Sequence, residues 1–211
     1  MAPRAYRGTR RAEMAEATRQ RIVEATVALH AEKGIAATTL KDIAKRADVG
    51  WGTVYHHFPT YEDVVRACGA HMSTATRPPT PQVFAGIRSI TERIGVMVRE
   101  VFAYYERYPQ FERGRCDRDK FEVLRLGIAR REQLLESVVR EAVRPLPDGE
   151  KCVSTLVALT DFAVYRALTT AGMSTGEAAA RVIDVVLAWI ARERAVSRRR
   201  AEPSTTMNME G

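Results

Sequence analysis

Residues 39–58 constrain this chain more than any other stretch. Thr39-x-x-Asp42 is a variant of the capping box and predicts a helix over 39–47. Asp48-Val49-Gly50 supplies a turn, a second short helix spans 51–58, and Pro59 ends it. Leu40, Ile43, Ala44 and Ala47 fall on one face at three- and four-residue spacing, and Val49, Val54 and Phe58 provide a matching apolar face. Ala44 and Gly52 are small where two helices would cross closely. The opposite faces stay polar: Lys41, Lys45 and Arg46 on the first helix, Thr53, Tyr55, His56 and His57 on the second.

The remaining chain is read as helical too. Alternating β-branched runs are missing, and glycine and proline fall between helical stretches rather than at hairpin spacing. Helices are expected over 13–33, stopped by Gly34, and from Tyr61 to a linker at Ser73–Pro81. More follow over 82–107, 118–143, 150–171 and 175–194, with Ser174-x-x-Glu177 capping the last. Pro109 to Cys116 reads as a short irregular or helical piece, and the tail from Ser197 as disordered. The fold class is therefore all-α: an N-terminal three-helix domain with a helix-turn-helix, then a larger helical domain. The expected divisions are a basic arm over 1–17, the helix-turn-helix domain over 18–78, a second domain over 79–196 and a tail over 197–211.

Composition narrows the function classes. Of 211 residues, 33 are Lys or Arg against 26 Asp or Glu, a formal charge of +7 that favours an acidic partner. Cys68, Cys116 and Cys152 lie far apart with no C-x-x-C spacing, which argues against disulfides and zinc. No Glu-x-x-His pair and no P-loop or glycine-rich phosphate fingerprint occurs, so no catalytic residue, metal or cofactor is expected. His56 and His57 are neighbours, and adjacent helical residues point about 100° apart, a poor geometry for sharing a metal. The start of the chain lacks the apolar segment of a secretory signal, and Val182–Ala191 is too short to span a bilayer. The expectation is a soluble protein that stays in the cytoplasm.

A short helix after a tight turn, presenting its N-terminal end, is the arrangement that enters the DNA major groove. From Arg19 to Val65 the sequence resembles the TetR-type family of bacterial repressors. The resemblance lies in Arg21-Ile22-Val23-Glu24-Ala25-Thr26 with Leu29 and Gly34, in Thr39-Leu40-Lys41-Asp42-Ile43-Ala44, in Ala47-Asp48-Val49 and in Gly52-Thr53-Val54-Tyr55-His56-His57-Phe58. The stretch Asp161–Ile190 looks like the family's last two helices. The resemblance implies a dimer, paired through those helices, that binds a palindromic operator and is released by a small-molecule inducer held among the central helices. It implies that the helix after the motif transmits the signal. It also implies DNA contacts from Thr39, Lys41, Gly50, Trp51, Gly52, Thr53, Tyr55, His56, His57 and Tyr61.

The sequence departs from the family at three places. Gly50 stands at the N-cap where Ser or Thr is usual, Asp48 where the turn usually has Gly, and Tyr61 where a phosphate-binding lysine is usual. Aspartate can take the left-handed angles the turn demands, and a phenol can still donate one hydrogen bond.

Several assignments stay open between two readings. Trp51, in the first turn of the second helix, either reaches DNA or folds back as core; the reading role is the one expected. Arg4, Arg7, Arg10 and Arg11 form either a minor-groove arm or a solvated tail. Tyr104, Tyr105, Tyr108, Phe121 and Phe162, with Arg125 and Arg166 as polar handles, line either a ligand pocket or plain core and surface. Val157, Phe162, Val164, Leu168, Val182, Val185, Val186 and Trp189 give the last helices more apolar surface than two isolated helices can bury.

Overall fold

The structure, a computed structural model, describes residues 4–108 and 115–201. Among them every regular element is helical: α1 (Arg4–Lys33), α2 (Leu40–Ala47), α3 (Trp51–His57), α4 (Tyr61–Thr76), α5 (Ile90–Arg107), α6 (Glu122–Val143), α7 (Gly149–Leu159), α8 (Phe162–Thr170) and α9 (Thr175–Ala201). The all-α class read from the sequence holds. No described helix is long and apolar enough alone to cross a membrane.

Several ends differ from the sequence reading, each for a local reason. The first helix begins at Arg4 rather than near Glu13. Residues 10–17 are Arg, Ala, Glu and Met, all strong helix formers but with no apolar stripe, so periodicity gives no signal there. Pro81–Phe84 forms only a short 3-10 turn, Gly86 takes φ +78°, and α5 starts at Ile90 instead of Gln82. Phe121 is extended, so α6 starts at Glu122 rather than Arg118. The expected single helix over 150–171 is two, bent by 43°. Asp161 breaks it by accepting a hydrogen bond from the Ala163 N–H, which makes it the N-cap of α8. The last helix continues to Ala201, past the expected end at Arg194 and into the stretch read as disordered; residues 202–211 lie outside the described residues, as does most of Pro109–Cys116.

The described residues group into two compact units. One falls within Met1–Pro79 and Tyr104–Leu135, the other within Thr80–Ala103 and Glu136–Gly211. In the first, α1 packs on α2 and α4, and α2 on α3. Ile22, Val23, Leu29, Ile43, Ala44, Ala47, Val54, Phe58 and Val64 make its core, with Leu40 and Val49 against it. These are the inward faces that spacing assigns to the two short helices. Gly34 ends α1 with φ +91°, the left-handed C-terminal position where glycine is cheapest.

In the second unit α9 packs on α7 and α8. Arg93 is 3% exposed and holds this unit at the end of α6. Its guanidinium donates to the Ala142 and Glu141 carbonyls, to the Ile87 carbonyl and to the Glu141 carboxylate at 2.7 Å, and it lies over the Phe84 ring. The last-turn carbonyls of α6, which have no partner within the helix, are thereby satisfied by a cation where the helix dipole favours one. Arg93→Met removes that cation, leaves the Ala142 and Ile87 carbonyls without it, and leaves the Glu141 carboxylate with Arg144 alone. Urea unfolding of the full chain is expected to show a loss of about 3 kcal/mol; a loss under about 1 kcal/mol would mean water replaces the guanidinium.

Candidate nucleic-acid interface and adjoining cavity

The turn between α2 and α3 is built by two local devices. Thr39 caps α2: its hydroxyl accepts from the Asp42 N–H, and Asp42 accepts in return from the Thr39 N–H. Asp48 then takes the left-handed conformation (φ 52°, ψ 54°), and its N–H closes back on α2. Gly50 caps α3 with its carbonyl alone, which accepts from the Thr53 N–H at 2.9 Å.

With Val54 and Phe58 held in the core, the other side of α3 faces outward. Trp51 is 53% and Tyr55 51% exposed, and their rings stack at 5.5 Å with an 18° interplanar angle. His56 is exposed, and Thr53 and His57 are partly so. Gly52 is exposed with open space around its would-be Cβ. That corrects the expectation that Gly52 is small because helices cross there; only Ala44 is buried at the crossing. Lys41 and Lys45 are exposed and make no ion pair among the described residues, whereas Arg46 is bidentate to Glu32 at 2.7 and 2.6 Å. Lys33 reaches Asp42 at 2.7 Å, and together with Thr39 holds its carboxyl down at about 2.

Tyr61 is a second correction. Expected at DNA, it turns its hydroxyl into the domain and donates to the Ile35 carbonyl at 2.5 Å. A carbonyl cannot donate, so the phenol oxygen accepts from His30 Nε2–H at 2.9 Å. The neutral ring then leaves Nδ1 bare, and the Cys68 thiol, 3.6 Å away, donates to it. Every member of the chain Cys68–His30–Tyr61–Ile35 is thus uncharged. Burial enforces this: it pushes the His30 ring down to about 4, despite the opposing pull of Asp117, pushes the Cys68 thiol up to about 12, and raises the Tyr61 phenol. On its other side the Ile35 peptide is held by Asp117, which accepts from the Ile35 and Ala36 N–H groups at 3.1 and 3.0 Å. Burial works against that charge, yet Lys120 and the two peptides keep its carboxyl below the usual range.

His30 and Cys68 also line a cavity of about 500 Å³, within the range of small-molecule pockets. The helices α4 and α6 and the end of α5 supply its walls. Of the residues expected at a pocket, Tyr104 and Tyr108 line it. The others do not. Tyr105 is buried elsewhere, and Phe121 packs on Tyr61 at 5.5 Å. Arg125 is paired to Glu122 on the surface. Phe162, buried against Tyr165, and exposed Arg166 belong to the other unit. Sequence reasoning missed His30 and Cys68, because a lone histidine and a lone cysteine on helices carry no pocket signal. Among the described residues no group of His, Cys, Asp or Glu is placed to hold a metal.

The sequence profile of the bacterial regulatory proteins of the tetR family matches residues 22–68, the span from α1 into α4. Over these residues the chain is similar to the tetR family. The TetR-type stretch is 43% identical over 53 residues to the HTH-type transcriptional repressor Rv3405c of Mycobacterium tuberculosis, covering 25% of this chain and 28% of that one. It is 43% identical over 47 residues to the HTH-type transcriptional repressor KstR2 of the same species, covering 22% and 24%. The chain thus matches only about a quarter of the length of these relatives. The TetR fold extends further. A regulator of the TetR/AcrR family from Thermobifida fusca superimposes with TM-score 0.60 at 22% identity, over 80% of this chain and 96% of that one. A Saccharomonospora viridis protein in complex with choline gives 0.65 at 16% identity, over 81% and 96%.

The relay gives a pH dependence. The unfolded His30 ring takes a proton near 6.5 and the folded ring only near 4. Between these values the unfolded state binds more protons, so this contribution to stability is full above pH 6.5 and is lost as pH falls towards 4. Denaturant titration is expected to show a decrease of about 2 kcal/mol from pH 7.5 to pH 5, and His30→Gln is expected to flatten that slope. An imidazole titrating near 6.5 in the folded protein by NMR would contradict the assignment.

Proposed function

We propose that the chain is a ligand-responsive transcriptional repressor that binds a palindromic operator as a dimer and is released by a small-molecule inducer. The observation that carries this reading is the outward face of α3. It presents two large stacked aromatic side chains, Trp51 and Tyr55, that the protein itself does not bury. An indole face suits a thymine methyl, and its N–H suits a base or phosphate acceptor. Thr39, Lys41, Gly50, Gly52, Thr53, His56 and His57 supply the other contacts in this reading, with bare Gly52 allowing the backbone to approach DNA. Residues 18–78 are the DNA-binding part and 79–196 the ligand-binding and dimerising part, and the protein works in the bacterial cytoplasm.

Dimerisation through the last two helices read from the sequence, which are α7 with α8 and α9 in the structure, is supported by exposed apolar residues there. Val157 is 37% and Val185 49% exposed, while Phe162, Val182 and Val186 are already buried within the subunit. A bundle across a two-fold axis would cover the exposed set and place two α3 helices on successive half-sites. Inducer binding is supported by the cavity and by the choline complex of the Saccharomonospora viridis protein. An inducer acts only if it binds the DNA-incompetent state more tightly, so operator DNA must weaken inducer binding by the same factor.

Fluorescence anisotropy with an operator fragment tests the reading. Lys41→Ala is expected to weaken binding and to lower the salt slope by about one where it touches phosphate, and Tyr55→Phe, which removes no charge, to weaken binding with the slope unchanged. Trp51→Ala is expected to alter preference at one position of each half-site and to leave the melting temperature of the free protein unchanged. Equal affinity for scrambled DNA, or light scattering that finds only a 23.6 kDa species, would overturn the proposal.

A further inference from the structure

The cavity walled by α4, α5 and α6 has a chemistry that selects among small molecules. Its body is apolar, with Val65, Met72, Val123, Leu124, Ile128 and Leu134 contributing side chains. Its charges are of one sign. Arg66, Arg130 and Arg131 line it, and among the described residues no carboxylate does. Arg66 is ion-paired to Asp63 at 2.8 Å. Arg131 lies over the Tyr108 ring at 4.7 Å and reaches its hydroxyl at 3.4 Å. Arg130 is exposed at the rim and makes no ion pair among the described residues.

We propose that this cavity takes an amphiphilic organic anion, with its carboxylate on Arg130 beside Arg131 and its apolar body in the cavity. The proposal rests on the inducer reading and names the class of inducer. A guanidinium binds a carboxylate in a two-pronged, charge-assisted pair. A cationic ligand finds no counter-charge among the lining residues, and the Tyr108 ring that could hold one by cation–π contact already carries Arg131. The inner end favours the apolar body. His30 and Cys68 are both held neutral there, so they offer no charge for the head group.

Two glycines mark the way in. Gly69 in α4 and Gly127 in α6 both line the cavity, both are exposed, and a Cβ at either would meet nothing within 4 Å. Glycine weakens a helix interior relative to alanine, and among the described residues no neighbour requires it at either place. What the bare backbone provides is clearance between two helices at the mouth of an apolar space.

Calorimetry on the full chain without DNA tests the class, using decanoate, decanol and decyltrimethylammonium as matched probes. Decanoate is expected to bind at least tenfold more tightly than either of the others. Arg130→Gln should weaken decanoate tenfold or more and leave decanol unchanged. Gly69→Leu and Gly127→Leu should each abolish decanoate binding with the melting temperature unchanged or raised. Tighter binding of the alcohol or the ammonium, or full decanoate affinity in both leucine variants, would overturn the proposal. A parallel operator-release assay separates the two readings. Decanoate binding without release would keep the site and overturn the inducer role. Release by another compound, with no decanoate binding, would overturn the anion class and keep the inducer role.

Discussion

The peptide unit at Ile35 is the point on which the N-terminal unit is hung. Its carbonyl, from Ile35, is held by Tyr61 and its N–H, from Ala36, by Asp117. Both partners are distant in sequence, and both belong to segments that also face or flank the cavity. A peptide held on both sides cannot shift without breaking a charge-assisted bond or stranding a buried phenol, and either loss costs more than an ordinary surface contact. The loop between α1 and α2 is therefore fixed from the cavity side, and the helix-turn-helix that follows it inherits that position.

The same arrangement fixes α4 at both ends. Thr60 and Asp63 cap its start, and Tyr61 in its first turn ties it to Ile35. At its far end Arg107 of α5 donates to the Thr76 and Arg77 carbonyls at 2.9 and 3.2 Å. Cys68 and Gly69 lie between these anchors, on the stretch that lines the cavity. The cavity thus borders the middle of a helix whose ends are pinned. The neutral chain through Cys68 and His30 joins the cavity wall to Ile35, and moving either group leaves a buried polar atom without its partner.

The two aromatic populations of the chain illustrate how context decides role. Tyr104 is 1% exposed, and burial lifts its phenol to about 12, so it serves as wall. Trp51 and Tyr55 come from equally aromatic, helix-compatible sequence, yet they sit on the side of a seven-residue helix whose other side already fills the core with Val54 and Phe58. A helix this short has one buried stripe, and residues off that stripe have nowhere inside to go.

By itself the sequence determined the all-α class, the two short helices and their turn, the inward faces of both, and the left-handed place at Asp48. These follow from local chemistry: caps, spacing and backbone angles act within a few residues, so they are written in order along the chain. Helix ends at Arg4, Ile90 and Asp161 were less legible, because propensity without an apolar stripe, a left-handed glycine and a mid-helix cap leave weak traces in periodicity. The cavity was legible only in Tyr104 and Tyr108. His30, Cys68 and the inward turn of Tyr61 were decided by tertiary structure alone. Their roles depend on hydrogen bonds between residues more than 25 positions apart and on burial strong enough to keep each group neutral, and neither distance nor desolvation is a property of any one stretch of sequence.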